Sequence, residues 1–79
     1  MMKEIYRFKN SGHLYEVTQR ALMKNPETRN WDNCIIYTQY KILNRNGEYI
    51  EVPENEKLTF VREETEFMLK FEKVENEQN

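Results

Sequence analysis

Glycine and proline are scarce in this chain, two of each in 79 residues, and there is a single cysteine and a single histidine. Gly12 and Gly47 lie far apart, so no glycine-rich loop can cradle a phosphate. One cysteine, Cys34, cannot close an internal disulfide. One Cys and one His cannot supply the usual four ligands of a structural zinc. No apolar signal segment and no run long enough to span a bilayer is visible, and with a lone thiol this leads us to expect a cytoplasmic protein. No segment is low in complexity and no internal repeat is seen.

What is present is charge and aromatic area. Charged residues make up 33% of the chain and hydrophobic residues 38%, yet 13% are aromatic, so Phe and Tyr must supply much of any core. That content argues against disorder. A chain of this length is one domain that buries only about 60% of its unfolded surface; we expect it to span residues 1–75, with a polar, disordered tail at 76–79. Residues 1–45 carry a net charge of +4 and residues 46–79 a net charge of −6. Held on separate faces, these halves would make a dipole with a basic, anion-attracting side; the plainer reading is that folding intermingles them.

Hydrophobic period places the elements. Ile5-Tyr6-Arg7-Phe8 is a short aromatic strand, and Asn10-Ser11-Gly12 is the turn that reverses it. In residues 13–24, Tyr15, Val17, Ala21 and Met23 share a strand face, while Leu14, Val17, Ala21 and Leu22 share a helix face. The preceding turn, the Tyr-x-Val start and the missing helix cap favour the strand. Residues 25–33 read as a polar loop entered through Asn25-Pro26, which biases Asn25 away from helix. The strongest strand is 34–42, β-branched and aromatic, with Cys34, Ile36, Tyr40 and Ile42 expected on one face. Asn46-Gly47 signals a tight hairpin with a type I′ turn, followed by a strand over 48–52 that Pro53 ends.

From Phe60 to Glu75 the period changes from alternation to helical spacing. Residues 57–62 alternate with Leu58 and Phe60 inward; Glu63, Glu64 and Glu66 then enrich a helical first turn, and Phe67 and Phe71, with Leu69 or the stem of Lys70, cover the open end of the sheet. The predicted fold is therefore β-rich (α+β): a small antiparallel sheet or SH3-like barrel of about five strands with one short C-terminal helix. Edge pairing near Pro53 gives so small a domain a route to a homo-oligomer.

The order Tyr6-Arg7, Gly12-x-x-Tyr15-x-Val17, Ala21, Glu27-Thr28, Ile36-Tyr37, Phe60-Val61-Arg62 and Phe67 through Phe71 resembles a family of short bacterial and phage proteins of unknown function. Its members read as a Tyr-Arg-His and Lys-Gly start, a Tyr-x-Val strand, a Glu-Thr loop, a Val-Val-Tyr strand, a Val-Arg-Pro step and a final Phe-containing turn. Here Phe8 replaces the early histidine and Glu63 the proline, and the Trp31 region and the Asn46-Gly47 hairpin look like elaborations. The resemblance implies a compact β-domain and no particular activity.

No catalytic arrangement can be read from spacing. His13 beside a turn reads as a solvated histidine, and Cys34 at the head of a strand as a small buried hydrophobe. Thirteen glutamates and one aspartate offer no particular catalytic pair. We expect no enzyme and no cofactor. Tryptophan and arginine in a polar loop are enriched at interaction hot spots, which makes Arg20, Arg29, Trp31 and Tyr40 the candidate binding residues. The competing reading folds Trp31 inward as a core plug. The expected function is a non-enzymatic binding or inhibitory module, such as a phage-type accessory protein that binds a host protein or sequesters a small nucleotide signal. The alternative is a small barrel binding single-stranded nucleic acid on a basic aromatic face, against which the net charge of −2 weighs.

Overall fold

A computed structural model describes residues 3–74; the expected tail at 76–79 lies outside them. The chain runs β1 (Ile5–Phe8), β2 (Leu14–Lys24), β3 (Trp31–Leu43), β4 (Tyr49–Glu51), a 3-10 turn at Glu54–Glu56, β5 (Thr59–Glu63), α1 (Glu64–Lys70) and β6 (Phe71–Lys73). All pairings are antiparallel. β3 is long enough to hold β4 against residues 41–43 and β5 against residues 34–38 along the same edge, with β2 on its other side. The sheet is thus five strands wide, runs from β5 or β4 through β3, β2 and β1 to β6, and curls into a half-barrel. The β-rich fold with one short C-terminal helix is the one expected.

The turns obey their residues. Gly12 sits at φ 81°, which a side chain adopts only with strain, and its backbone closes the β1–β2 hairpin by donating to Phe8 O at 2.8 Å. Leu14–Lys24 is strand, as the turn and the Tyr-x-Val start indicated. The Asn46-Gly47 hairpin forms, but not as type I′: Gly47 alone has positive φ, Gly47 N–H donates to Asn44 O, and the Asn44 carboxamide accepts from Asn46 and Glu48 N–H. This is a type I turn followed by a left-handed glycine, the three-residue alternative. The Asn44 side chain selects it.

The face assignment of β3 needs correction. Ile35 and Tyr37 point into the main core, Tyr40 lies in a second cluster, and Ile42 is exposed, whereas Cys34, Ile36, Tyr40 and Ile42 were expected together. One register shift is responsible: Leu14 pairs with Lys41 but Tyr15 with Gln39, which leaves Tyr40 as an extra residue of β3, whereas a second shift, between Val17 and Gln19, adds Thr18 to β2 and leaves the alternation of β3 unchanged. Each bulge adds one residue to one strand and reverses its alternation. Strand β3 also starts at Trp31, because Lys24 pairs with Trp31 and extends the ladder into the expected loop. The remaining loop is closed by Asn25, whose side chain accepts from Glu27 and Thr28 N–H, and by Arg29 at φ 66°.

The concave core comprises Tyr6, Val17, Ile35, Tyr37, Phe67 and Phe71, with Phe8 and Tyr15 packed against it; Ile5, Leu14 and Tyr40 form a smaller cluster with Val74. Glu63 caps α1, its carboxylate accepting from Thr65 and Glu66 N–H at 3.0 and 3.1 Å. The helix places Phe67 at 0% exposure and stacks it on Phe71, centroids 4.1 Å apart. Leu69, one of the two side chains expected to help cover the sheet, points to solvent. Phe71 starts a strand rather than ending the helix, because it pairs with Phe8 across β1. Leu58 and Phe60, expected inward, are both exposed in part, Phe60 by 38%, since β5 is an edge strand. The charge halves interleave, as in the plainer reading: Arg7 bonds Glu72 and Lys41 lies across from Glu51.

Candidate functional site

The two ends of the half-barrel, β5 and β6, leave a hollow on the concave side of about 90 Å³, lined by Phe8, Tyr15, Tyr37, Phe60, Arg62 and Phe71. Five strands build it. Alternation along β5 turns Phe60 and Arg62 to the same side; β1 contributes Phe8, β6 contributes Phe71, and β2 and β3 supply the tyrosines. The rings pack against one another stacked, edge to face and tilted in turn: Tyr37 lies 5.6 Å from Phe60, Tyr15 5.6 Å from Phe71, and Phe8 5.0 Å from Phe71. Edge-to-face and offset pairs add about 0.5–1.5 kcal/mol each beyond their area.

Arg62 forms the polar part of the rim. Its Nε donates to Tyr37 Oη at 3.0 Å and its Nη1 to a Glu66 carboxylate oxygen at 3.1 Å. The guanidinium carbon lies 5.8 Å from the Phe8 ring centre and 5.6 Å from that of Phe71. Tyr37, first of all through its hydrogen bond, and to a lesser extent Glu66 hold the Arg62 pKa above its ordinary value against the lowering effect of burial. Burial pushes the Tyr15 phenol up, with Tyr37 adding to it and Arg62 opposing it, so the wall presents a neutral phenol. The chemistry on offer is a flat apolar seat with a fixed cation and phenol groups at its rim. Among the described residues no group of three His, Cys, Asp or Glu could hold a metal ion.

Beside the hollow runs an open sheet edge. Gln39 N–H donates to Leu58 O, and antiparallel alternation then turns the backbone of Phe60 and Arg62 toward β3 and that of Thr59 and Val61 away from it. No strand among the described residues pairs with that outer side.

The four expected binding residues do not converge. Arg20 is bound to Glu4 by two hydrogen bonds, at 3.0 and 3.3 Å. Lys24 lies 5.9 Å from the ring of Trp31, directly across from it. Alternation sets Arg20, Lys24 and Trp31 on one face of the β2–β3 arm, with Arg29 at its tip. Trp31 is 62% exposed, which answers the core-plug reading. Tyr40 is buried in the second cluster, with Lys3 and Lys41 over its ring; nine residues along β3 from Trp31, it is about 30 Å away at about 3.3 Å per residue. The hollow residues were missed as a set because they come from five strands. The one legible signal was the alternation of Phe60 and Arg62.

Cys34 is buried in the role expected of it. Burial, then the charges of Asp32 and Glu63, push its thiol up, and Sγ donates to Asp32 O at 3.7 Å. His13 is not a freely solvated turn residue: its Nδ1 accepts from Leu43 N–H at 3.0 Å and ties the first turn to the end of β3. No family model, curated protein or solved structure matches the chain. No described helix is long and apolar enough to cross a membrane.

Proposed function

We propose that this protein is a non-enzymatic binding module that takes an extended segment of a partner protein along the outer edge of β5 and seats one apolar or proline side chain in the aromatic hollow. The observation that carries this reading is the juxtaposition of the hollow with unpaired backbone on the same strand. Main-chain pairing supplies affinity and the seat supplies choice of side chain, the division of labour in strand addition. Size decides the ligand class: about 90 Å³ holds one side chain, whereas pockets for drug-sized ligands run to about 300–1,000 Å³. That favours a host protein over a small nucleotide signal as the target of a phage-type accessory module. A cytoplasmic setting, where the buried thiol of Cys34 stays reduced, belongs to the same reading.

The test is selection of peptides from a random display library on the purified protein, followed by calorimetry. Phe60→Ala, which removes a partly exposed wall, should weaken a selected peptide about tenfold or more with the circular dichroism spectrum kept. Loss of binding in Trp31→Ala with Arg29→Ala, and none in Phe60→Ala, would move the contact to the arm and overturn the reading.

A further inference from the structure

A second open edge lies on β2, independent of the hollow. β1 pairs with β2 from Leu14 to Glu16, and Val17 N–H donates to Glu4 O at 2.9 Å. Beyond that point no strand of the described residues lies outside β2. On the other side, β5 leaves β3 at the pair Cys34 with Glu63. The hairpin from residue 22 to residue 33 is therefore two strands wide, and such a hairpin is marginal alone. Its open edge carries Ala21, Leu22 and Met23 in succession, with Leu22 62% exposed. An apolar run on an unpaired edge is a template for another strand.

Alternation fixes which groups face outward. Ile35 and Tyr37 direct their backbone to β5, so Ile36 directs its own to β2 and to Gln19, its partner there. Gln19 thus faces inward, while Arg20, Leu22 and Lys24 present N–H and C=O to solvent.

We propose that this edge is a self-association surface on which two copies pair their β2 strands antiparallel about a two-fold axis at Ala21. The open run from Thr18 to Lys24 has Ala21 at its midpoint, so this register gives the longest overlap. It sets the outward groups of Arg20 against those of Leu22 in the second copy, twice over, and places the smallest side chain at the closely spaced central pair. Centring on Leu22 instead would set Lys24 against Arg20 of the second copy, and like charges directly opposite destabilise. A single short strand pair belongs to the class of interfaces below about 1,200 Å², so the dimer forms in the micromolar range or weaker.

Sedimentation velocity from about 5 to 500 µM reads the association, and oxidation of Ala21→Cys reads the register. The central pair puts the two Cα atoms about 4.5 Å apart, inside the disulfide range of about 4.4–6.8 Å. Thr28→Cys at the arm tip is the control. The expected results are a mass rising from 9.8 kDa toward twice that value, cross-linking at position 21 and none at position 28. Leu22→Pro, which deletes an outward N–H, should weaken association about tenfold or more. A 9.8 kDa species at every concentration overturns the proposal, as does equal cross-linking at both positions or unchanged association in Leu22→Pro.

Discussion

Replacing Phe67 with Ala tests where the core lies. The ring is 0% exposed, stacks on Phe71 at 4.1 Å, and meets Tyr6 at 5.1 Å and Tyr37 at 5.2 Å. A buried Phe→Ala change costs about 3–5 kcal/mol, and the loss of three ring neighbours puts this one at the upper end. A chain of 79 residues has a total stability of about 4–12 kcal/mol at 0.05–0.15 kcal/mol per residue. Phe67→Ala should therefore remove a third or more of it. With a urea slope of about 1 kcal/mol/M for so small a domain, the midpoint should fall by about 3–5 M, or the variant should be unfolded in buffer. Phe60→Ala, whose ring is 38% exposed, should cost only about 1–2 kcal/mol. Far-UV circular dichroism is the right probe, since the one tryptophan is solvated in the native arm. Equal losses in the two variants, or a loss below about 1 kcal/mol in Phe67→Ala, would refute the assignment of the concave face.

Cys34 should resist alkylation at neutral pH until the protein unfolds, because burial and the charges of Asp32 and Glu63 keep it a thiol; mass spectrometry after iodoacetamide reads this, and rapid labelling of native protein would contradict it. The Thr65 and Glu66 amides hold the Glu63 carboxyl below its ordinary range, and Arg20 does the same for Glu4. Lowered pKa values stabilise the fold above the unfolded-state value of about 4.3, and the contribution is lost as pH falls through the folded-state values. Melting temperature should drop on that acid side, less steeply in Glu63→Gln. Gly12→Ala and Gly47→Ala should each cost about 1–2 kcal/mol for positive φ, with Gly12 the worse, since its new Cβ would lie 2.7 Å from Leu43 Cδ2 while the one at Gly47 meets nothing; equal urea midpoints would contradict that.

Local chemistry was legible and long-range geometry was not. The first hairpin, the strand identity of Leu14–Lys24 and the acidic start of α1 follow from turn residues, β-branched runs and carboxylates near amide donors, all encoded within a few residues. Cys34 and Ile36 do not share a face with Tyr40 and Ile42 because a bulge intervenes; a bulge is a property of two paired strands, and nothing in the run around Tyr40 marks the extra residue. Strand β6 is too short to have a period, and Phe71 joins it through Phe8, far away in sequence. The hollow has the same character: Phe8, Tyr15, Tyr37, Phe60, Arg62 and Phe71 become neighbours only when the sheet curls. Trp31, the one tryptophan, marks the arm rather than the seat.

Amide hydrogen exchange of β5, with and without a peptide selected on the protein, tests the proposed binding mode most directly. Thr59 and Val61 turn their N–H groups away from β3, so in the free protein they should exchange quickly while the Phe60 and Arg62 amides, which face β3, are protected. On binding, the Thr59 and Val61 amides should slow markedly, together with shifts of the Phe8 and Phe60 ring protons. Tight binding with those two amides still exchanging at the free rate would contradict it.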